Sequence, residues 1–168
     1  MDASATVVSR PGGTEADGFE SFYRANVDRV YRALAVTLRR DDLAREAVDE
    51  AMARAYAKWD KVRHLDSPAG WVFRVGLNWA TSWWRKVRRE RPPTDAEPAG
   101  PGPGAEAVAA RTALARLPEA QRAVVTCRIL LDLTTAETAV ALGLNEGTVK
   151  SRLSRGLAAL RTALSEEK

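Results

Sequence analysis

Two side chains on which metal and acid–base chemistry depend are almost missing from this sequence. Its 168 residues include one cysteine, Cys127, and one histidine, His64. No intrachain disulfide can form, which fits a reducing compartment. The usual zinc-ligand clusters are excluded, and little remains for a histidine-based catalytic constellation. No glycine-rich phosphate cradle and no nucleophile–base pair is visible either, so the expectation is a protein that is not an enzyme and takes no metal and no cofactor. Cys127 lies among Val124, Val125, Ile129 and Leu130 and reads as a core residue. No apolar run approaches the length that crosses a bilayer. The first eighteen residues are small, polar and Gly/Pro-bearing, without the apolar centre of a signal peptide. The chain is therefore expected to be cytoplasmic and to have no membrane partner. Internal repeats and convincing alternating strands are absent as well.

What the sequence does have is helical period. The hydrophobic fraction of 45% suffices for a packed interior, so global disorder is not expected. From Phe19, apolar residues recur at Phe22, Tyr23, Val30, Tyr31, Leu34 and Leu38, in steps that place them on one stripe. A second helix starts near Asp41-Asp42, which could cap it, with a stripe of Leu43, Ala47, Ala51, Met52, Ala55, Tyr56 and Trp59. Asp60 to Ser67 reads as a loop, and Pro68 suits the first turn of a third helix on which Trp71, Val75, Trp79 and Trp83 repeat every fourth residue. Further helices are expected near Glu106–Arg116, Pro118–Leu131, Thr135–Leu142 and Glu146–Leu164. Between these halves, residues 92–105 read PPTDAEPAGPGPGA, a density of proline and glycine that no helix or strand sustains. The fold class is all-α: two small helical domains on a flexible Pro/Gly linker. The boundaries are a tail at 1–18, a domain at 19–91, the linker at 92–105 and a second domain at 106–168.

The second domain carries the sharper motif. Thr135–Leu142 meets Gly143, suited to a left-handed helix stop, and Asn145 can cap the helix that follows. Two helices about a tight glycine-containing turn make a helix-turn-helix. On the second helix Val149, Leu153, Leu157, Leu160 and Leu164 fall on one side as core. Thr148, Ser151 and Arg155 fall on the other, flanked by Lys150, Arg152 and Ser154. A helix that reads the major groove needs this division, because guanidiniums pair with guanine and hydroxyls with phosphates or base edges. The plainer alternative is a solvated basic face on a bundle helix.

In the first domain, Arg74, Asn78, Thr81, Arg85 and Arg88 share a helix face that runs into the basic stretch Arg85–Arg91. It could track phosphates, or it could be a charged helix end in water. The five tryptophans are many for this length. Trp71, Trp79 and Trp83 have core spacing, while Trp59 and Trp84 lie at edges where either could stack on an unpaired base. His64 reads as an exposed loop residue. Asp41, Asp42, Glu46, Asp49 and Glu50 crowd the polar side of the second helix, a face that repels DNA and is either solvated or meets a basic protein.

From Phe19 onward the chain resembles the extracytoplasmic-function (ECF) sigma factors of bacterial RNA polymerase. AREAVDEAMARAY (Ala44–Tyr56) resembles the family's core-binding helix, SPAGWVFRVGLNWATSWWRKVRR (Ser67–Arg89) its minus-ten segment, and the stretch Leu117–Leu160, above all GTVKSRLSR, its minus-thirty-five domain. The resemblance implies that Glu46, Asp49 and Glu50 grip core polymerase, which would replace the solvated reading of the acidic helix. It implies that Asn78 contacts promoter bases, and that the loop around Lys61 to Ser67, with Arg63 and His64, pockets a flipped base. Arg74, Thr81, Arg85 and Arg88 complete the minus-ten surface. Thr148, Lys150, Ser151, Arg152, Ser154 and Arg155 make the minus-thirty-five surface. The implied partners are core RNA polymerase and promoter DNA, and an anti-sigma factor is common in the family. Asp49 stands where the family usually has Gln, Met52 where it often has Phe, and the flipped-base loop is about one residue shorter than in some relatives.

A linker of this length spans at most roughly 50 Å and relaxes to roughly 20 Å, against about 34 Å for each turn of duplex. It can join two DNA sites on separate turns. Two rivals remain. A stand-alone helix-turn-helix regulator leaves Ala44–Arg89 unexplained, and a polymerase-binding decoy makes Asn78 and Arg155 dispensable.

Overall fold

The computed structural model describes residues 15–90 and 104–166. Among them lie eight helices: α1 (Glu15–Leu38), α2 (Asp41–Ala57), α3 (Trp59–Val62), α4 (Pro68–Glu90), α5 (Ala105–Arg116), α6 (Glu119–Ile129), α7 (Thr135–Leu142) and α8 (Glu146–Glu166). The described residues contain no strand, as the period required. The expected tail at 1–18 is shortened, because α1 already begins at Glu15. Residues 1–14 and most of the expected linker, 92–103, lie outside the described residues. Ala105, counted with that linker, opens α5.

Asp41 and Asp42 do not cap α2. Arg40 holds the N-cap position without a side-chain cap, and the two carboxylates sit in the first turn. There Arg40 grips Asp42 through Nε at 3.2 Å and Nη2 at 2.5 Å. Its guanidinium holds the Asp42 carboxyl below the usual carboxylate range. The expected loop at 60–67 includes one helical turn, α3, which carries Trp59 and Val62 into the interior.

The tryptophan stripe of α4 is not the core. Val72, Phe73, Gly76 and Ala80 are buried, while Trp71, Trp79 and Trp83 are half-buried beside them. The helices approach too closely for indoles. A Cβ on Gly76 would stand 2.9 Å from Leu34 Cδ1 and 3.2 Å from the Ala47 carbonyl oxygen. Gly76→Val should therefore overpack the contact, at about 1–3 kcal/mol. The expected thermal midpoint, followed by circular dichroism, falls by about 2–12 °C at 2–4 °C per kcal/mol. An unchanged midpoint would show that α4 packs elsewhere.

Tyr56, expected in the core, is 59% exposed, whereas Trp59 is 8% exposed. Phe19 meets Tyr56 and Trp59 edge-on at 5.1 and 5.4 Å, which fastens the start of α1 to the end of α2. In α8, Val149 is fully buried, Leu153, Leu157 and Leu160 are half-buried, and Leu164 is exposed.

The two helical units touch. Cys127, Leu131, Leu133 and Ala141 belong to the same buried cluster as Val30, Leu34, Ala51 and Phe73. α6 and α5 lie on α1, and α7 lies on α4. A smaller cluster of Val124, Ala139 and Val149 holds the helix-turn-helix itself.

Candidate nucleic-acid and polymerase interfaces

The helix-turn-helix is fixed by its caps. Thr134 and Glu137 form a capping box: the Glu137 amide donates to Thr134 Oγ1 at 3.1 Å, and the Thr134 amide donates to Glu137 Oε2 at 2.8 Å. Gly143 ends α7 with φ +64, a conformation that favours glycine. Asn145 Oδ1 accepts from the Thr148 amide at 2.8 Å and starts α8. With Val149 anchored inward, Lys150, Ser151, Ser154 and Arg155 are exposed, and Thr148 and Arg152 are half-buried. All six expected residues thus lie on the outward side or flank of one helix. The Ser151 hydroxyl donates to the Thr148 carbonyl at 3.1 Å, which aims it along the helix. Burial of Gly156 lets α8 approach α6, since a Cβ there would come within 2.7 Å of Val125 Cγ2.

On α4, Arg74, Asn78, Arg85 and Arg88 are exposed and Thr81 is half-buried, with its hydroxyl donating to the Leu77 carbonyl at 2.8 Å. The three arginines make no ion pair among the described residues, so their charge is available to phosphates. Lys61, Arg63 and His64 are exposed in and after α3, and Arg63 Nε donates to His64 Nε2 at 3.2 Å. Ser67 Oγ accepts from the Gly70 amide at 3.0 Å and fixes the entry to α4.

The two edge tryptophans differ in their surroundings. Trp59 is inside, and Trp84 carries the guanidinium of Arg40 at 4.8 Å with that of Arg88 at 5.9 Å. These cation–π contacts occupy its ring and give Arg40 a role that helix period does not reveal.

Glu46 and Asp49 are exposed on one face of α2, and Glu50 is half-exposed and paired with Arg54 at 2.8 Å. Glu46 and Asp49 have no ion-pair partner among the described residues. No cation of α4 or α8 pairs with a carboxylate of α2 among the described residues. Among the described residues, no group of three His, Cys, Asp or Glu side chains is placed to hold a metal ion. No described helix is long and apolar enough to cross a membrane.

Comparison with known proteins gives this arrangement its setting. The sequence family described as sigma-70, region 4, matches residues 107–160, which contain the helix-turn-helix. The RNA polymerase sigma-E factor of Streptomyces coelicolor is 34% identical over 151 residues, covering 87% of this chain and 85% of that protein. The ECF RNA polymerase sigma factor SigM of Mycobacterium tuberculosis is 30% identical over 150 residues, covering 87% of this chain and 76% of that protein. The chain belongs to the ECF family of RNA polymerase sigma factors. This sigma factor directs promoter recognition and transcription initiation, and its partners are core RNA polymerase and promoter DNA. Its fold also matches a solved sigma factor RpoE from Bartonella quintana, crystallised with the anti-sigma factor NepR. The TM-score is 0.73 at 22% identity, covering 90% of this chain and 99% of that one.

Proposed function

We propose that the sigma factor divides its work among three exposed faces. α2 docks on core polymerase through Glu46, Asp49 and Glu50. α8 enters the major groove of the minus-thirty-five element with Thr148, Lys150, Ser151, Arg152, Ser154 and Arg155. α4 and the segment before it engage the minus-ten element as the duplex opens. There Lys61, Arg63, Arg74, Arg85 and Arg88 supply charge along the backbone, and His64, Asn78 and Thr81 supply hydrogen bonds. Residues 19–91 and 106–168 act as the two promoter-binding units, and 92–105 as the tether between them. No covalent chemistry occurs on this chain, which works in the cytoplasm. An anti-sigma factor is a further partner in this reading, and Ile129 and Val140, 61% and 70% exposed, offer it apolar surface.

The observation that carries the reading is three sets of exposed side chains on three helices: Glu46 and Asp49 on α2, Arg74, Arg85 and Arg88 on α4, and Lys150, Ser151, Ser154 and Arg155 on α8. A decoy that binds polymerase needs only the first. A stand-alone regulator needs only the last.

Permanganate footprinting of the holoenzyme tests the minus-ten role. Unstacking a base costs a few kcal/mol and needs protein contacts to offset it. Asn78→Ala should reduce reactive, unpaired thymines at least tenfold on duplex promoter, and a pre-melted bubble template should restore initiation. Equal footprints from the variant and the unmodified protein would remove α4 from the opening step.

A further inference from the structure

One buried charge belongs to none of these three faces. Arg122 on α6 is 6% exposed, and no carboxylate lies within ion-pair distance of it among the described residues. Its guanidinium donates instead to two backbone carbonyls, Thr37 through Nε at 3.1 Å and Leu117 through Nη1 at 2.8 Å. Thr37 lies in the last turn of α1, where carbonyls lack partners within the helix and the dipole is negative. α1 ends at Leu38, and Arg39, whose φ is +58, turns the chain away. Arg122 thus fastens the helix-turn-helix unit to the end of the first helix of the other unit. A second tie lies nearby on the surface: Arg111 of α5 pairs with Asp41 at the start of α2, at 3.0 Å.

The fastening covers something. The turn between α6 and α7 brings Leu131 and Leu133 against the start of α4, where a Cβ on Gly70 would stand 3.4 Å from Leu133 Cδ1. An open cleft here is lined by Asp66, Ser67 and Pro68 from one unit and by Leu131, Asp132 and Leu133 from the other. Asp66 and Ser67 end the segment before α4 that the proposed function sets against the minus-ten element, and Pro68 opens α4. α7, about 12 Å long for its eight residues, bridges from α4 directly to α8. Two units joined so closely cannot sit on promoter elements that are a turn or more of duplex apart, about 34 Å per turn.

We propose that Arg122, backed by the Arg111–Asp41 pair, is a latch that holds the unbound sigma factor closed, and that the latch must release before both promoter elements are engaged. The proposal rests on the function given above. The latch is suited to release. Burial, and after it the charge of Arg39, works against the Arg122 guanidinium while Glu119 favours it, so opening returns a desolvated cation to water as it gives up apolar contact.

The chain carries its own reporter. Cys127 is the one cysteine, is fully buried, and belongs to the cluster shared with α1, α2 and α4. Desolvation pushes its thiol up to about 12, so it reacts slowly while the units are docked and faster when α6 leaves α1. The test measures the rate of Cys127 modification by a colorimetric disulfide reagent at pH 8, on the full chain without polymerase, for the unmodified protein, Arg122→Gln and Arg111→Glu. Circular dichroism melts establish that each variant is folded. Both variants should react at least tenfold faster than the unmodified protein, with helical content retained, and adding core polymerase to the unmodified protein should accelerate its reaction. Arg111→Glu keeps the test decisive if Arg122→Gln fails to fold, since Arg111 is on the surface. An unchanged rate in every folded variant would overturn the latch. These rates are read without transcription, so a sigma factor that initiates normally but shows no faster reaction loses the latch alone, and faster reaction without initiation loses the proposed function alone.

Discussion

Reversing the charge of the acidic face, with Glu46→Lys and Asp49→Lys together, should abolish capture of this sigma factor by core polymerase. Both side chains are exposed and neither supports another part of the fold, so the double variant should melt like the unmodified protein. The loss then belongs to the interface. Like charges set against each other across an interface cost several kcal/mol, and each 1.4 kcal/mol is about a tenfold change in affinity. The expected loss is at least a hundredfold, measured by fluorescence anisotropy of labelled sigma factor titrated with core. Glu50 is a weaker lever because Arg54 already engages it at 2.8 Å. An affinity equal to that of the unmodified protein would show that α2 is only a solvated helix.

The second large effect lies on α8. Arg152→Ala with Arg155→Ala should lower holoenzyme affinity for its own promoter about a hundredfold, since a good bidentate arginine–base pair is worth about 1–3 kcal/mol of discrimination. Binding to unrelated DNA should fall far less, through lost phosphate charge, and its salt dependence should become shallower. The helix-turn-helix should stay folded, because its anchor is Val149 and its caps are Thr134, Gly143 and Asn145. Equal losses on promoter and unrelated DNA would assign the two arginines to the backbone rather than to bases.

Helix period made the elements legible, since one helix face must be apolar to be buried. The turn of the helix-turn-helix was legible too, because a left-handed stop favours glycine and a helix start favours a side chain such as Asn145. Depth within a face was not legible. Spacing marks Trp71, Trp79 and Trp83 as readily as Val72, Phe73 and Gly76, and only the close approach of Leu34 and Ala47 decides which set goes inside. Leu164 follows the core spacing of α8 yet is exposed near the end of the helix. The shared core was hidden for a related reason. Leu131 and Leu133 look like interior residues of their own unit, and period says nothing about the partner they meet. Arg122 gave no signal at all: its partners are backbone carbonyls, one of them 85 residues away in sequence. The candidate interfaces were more legible than the core, because charge and hydroxyl groups on an exposed face need no partner within the chain.

Run-off transcription with purified chain, sigma-free bacterial core polymerase and a pool of genomic promoter fragments tests the central claim most directly. The account predicts discrete transcript starts that share two sequence motifs upstream, one for α4 and one for α8, with both lost in the α2 charge-reversal variant. Starts no more frequent than with core alone, under conditions where the chain binds DNA, would contradict it and leave a helix-turn-helix regulator in its place.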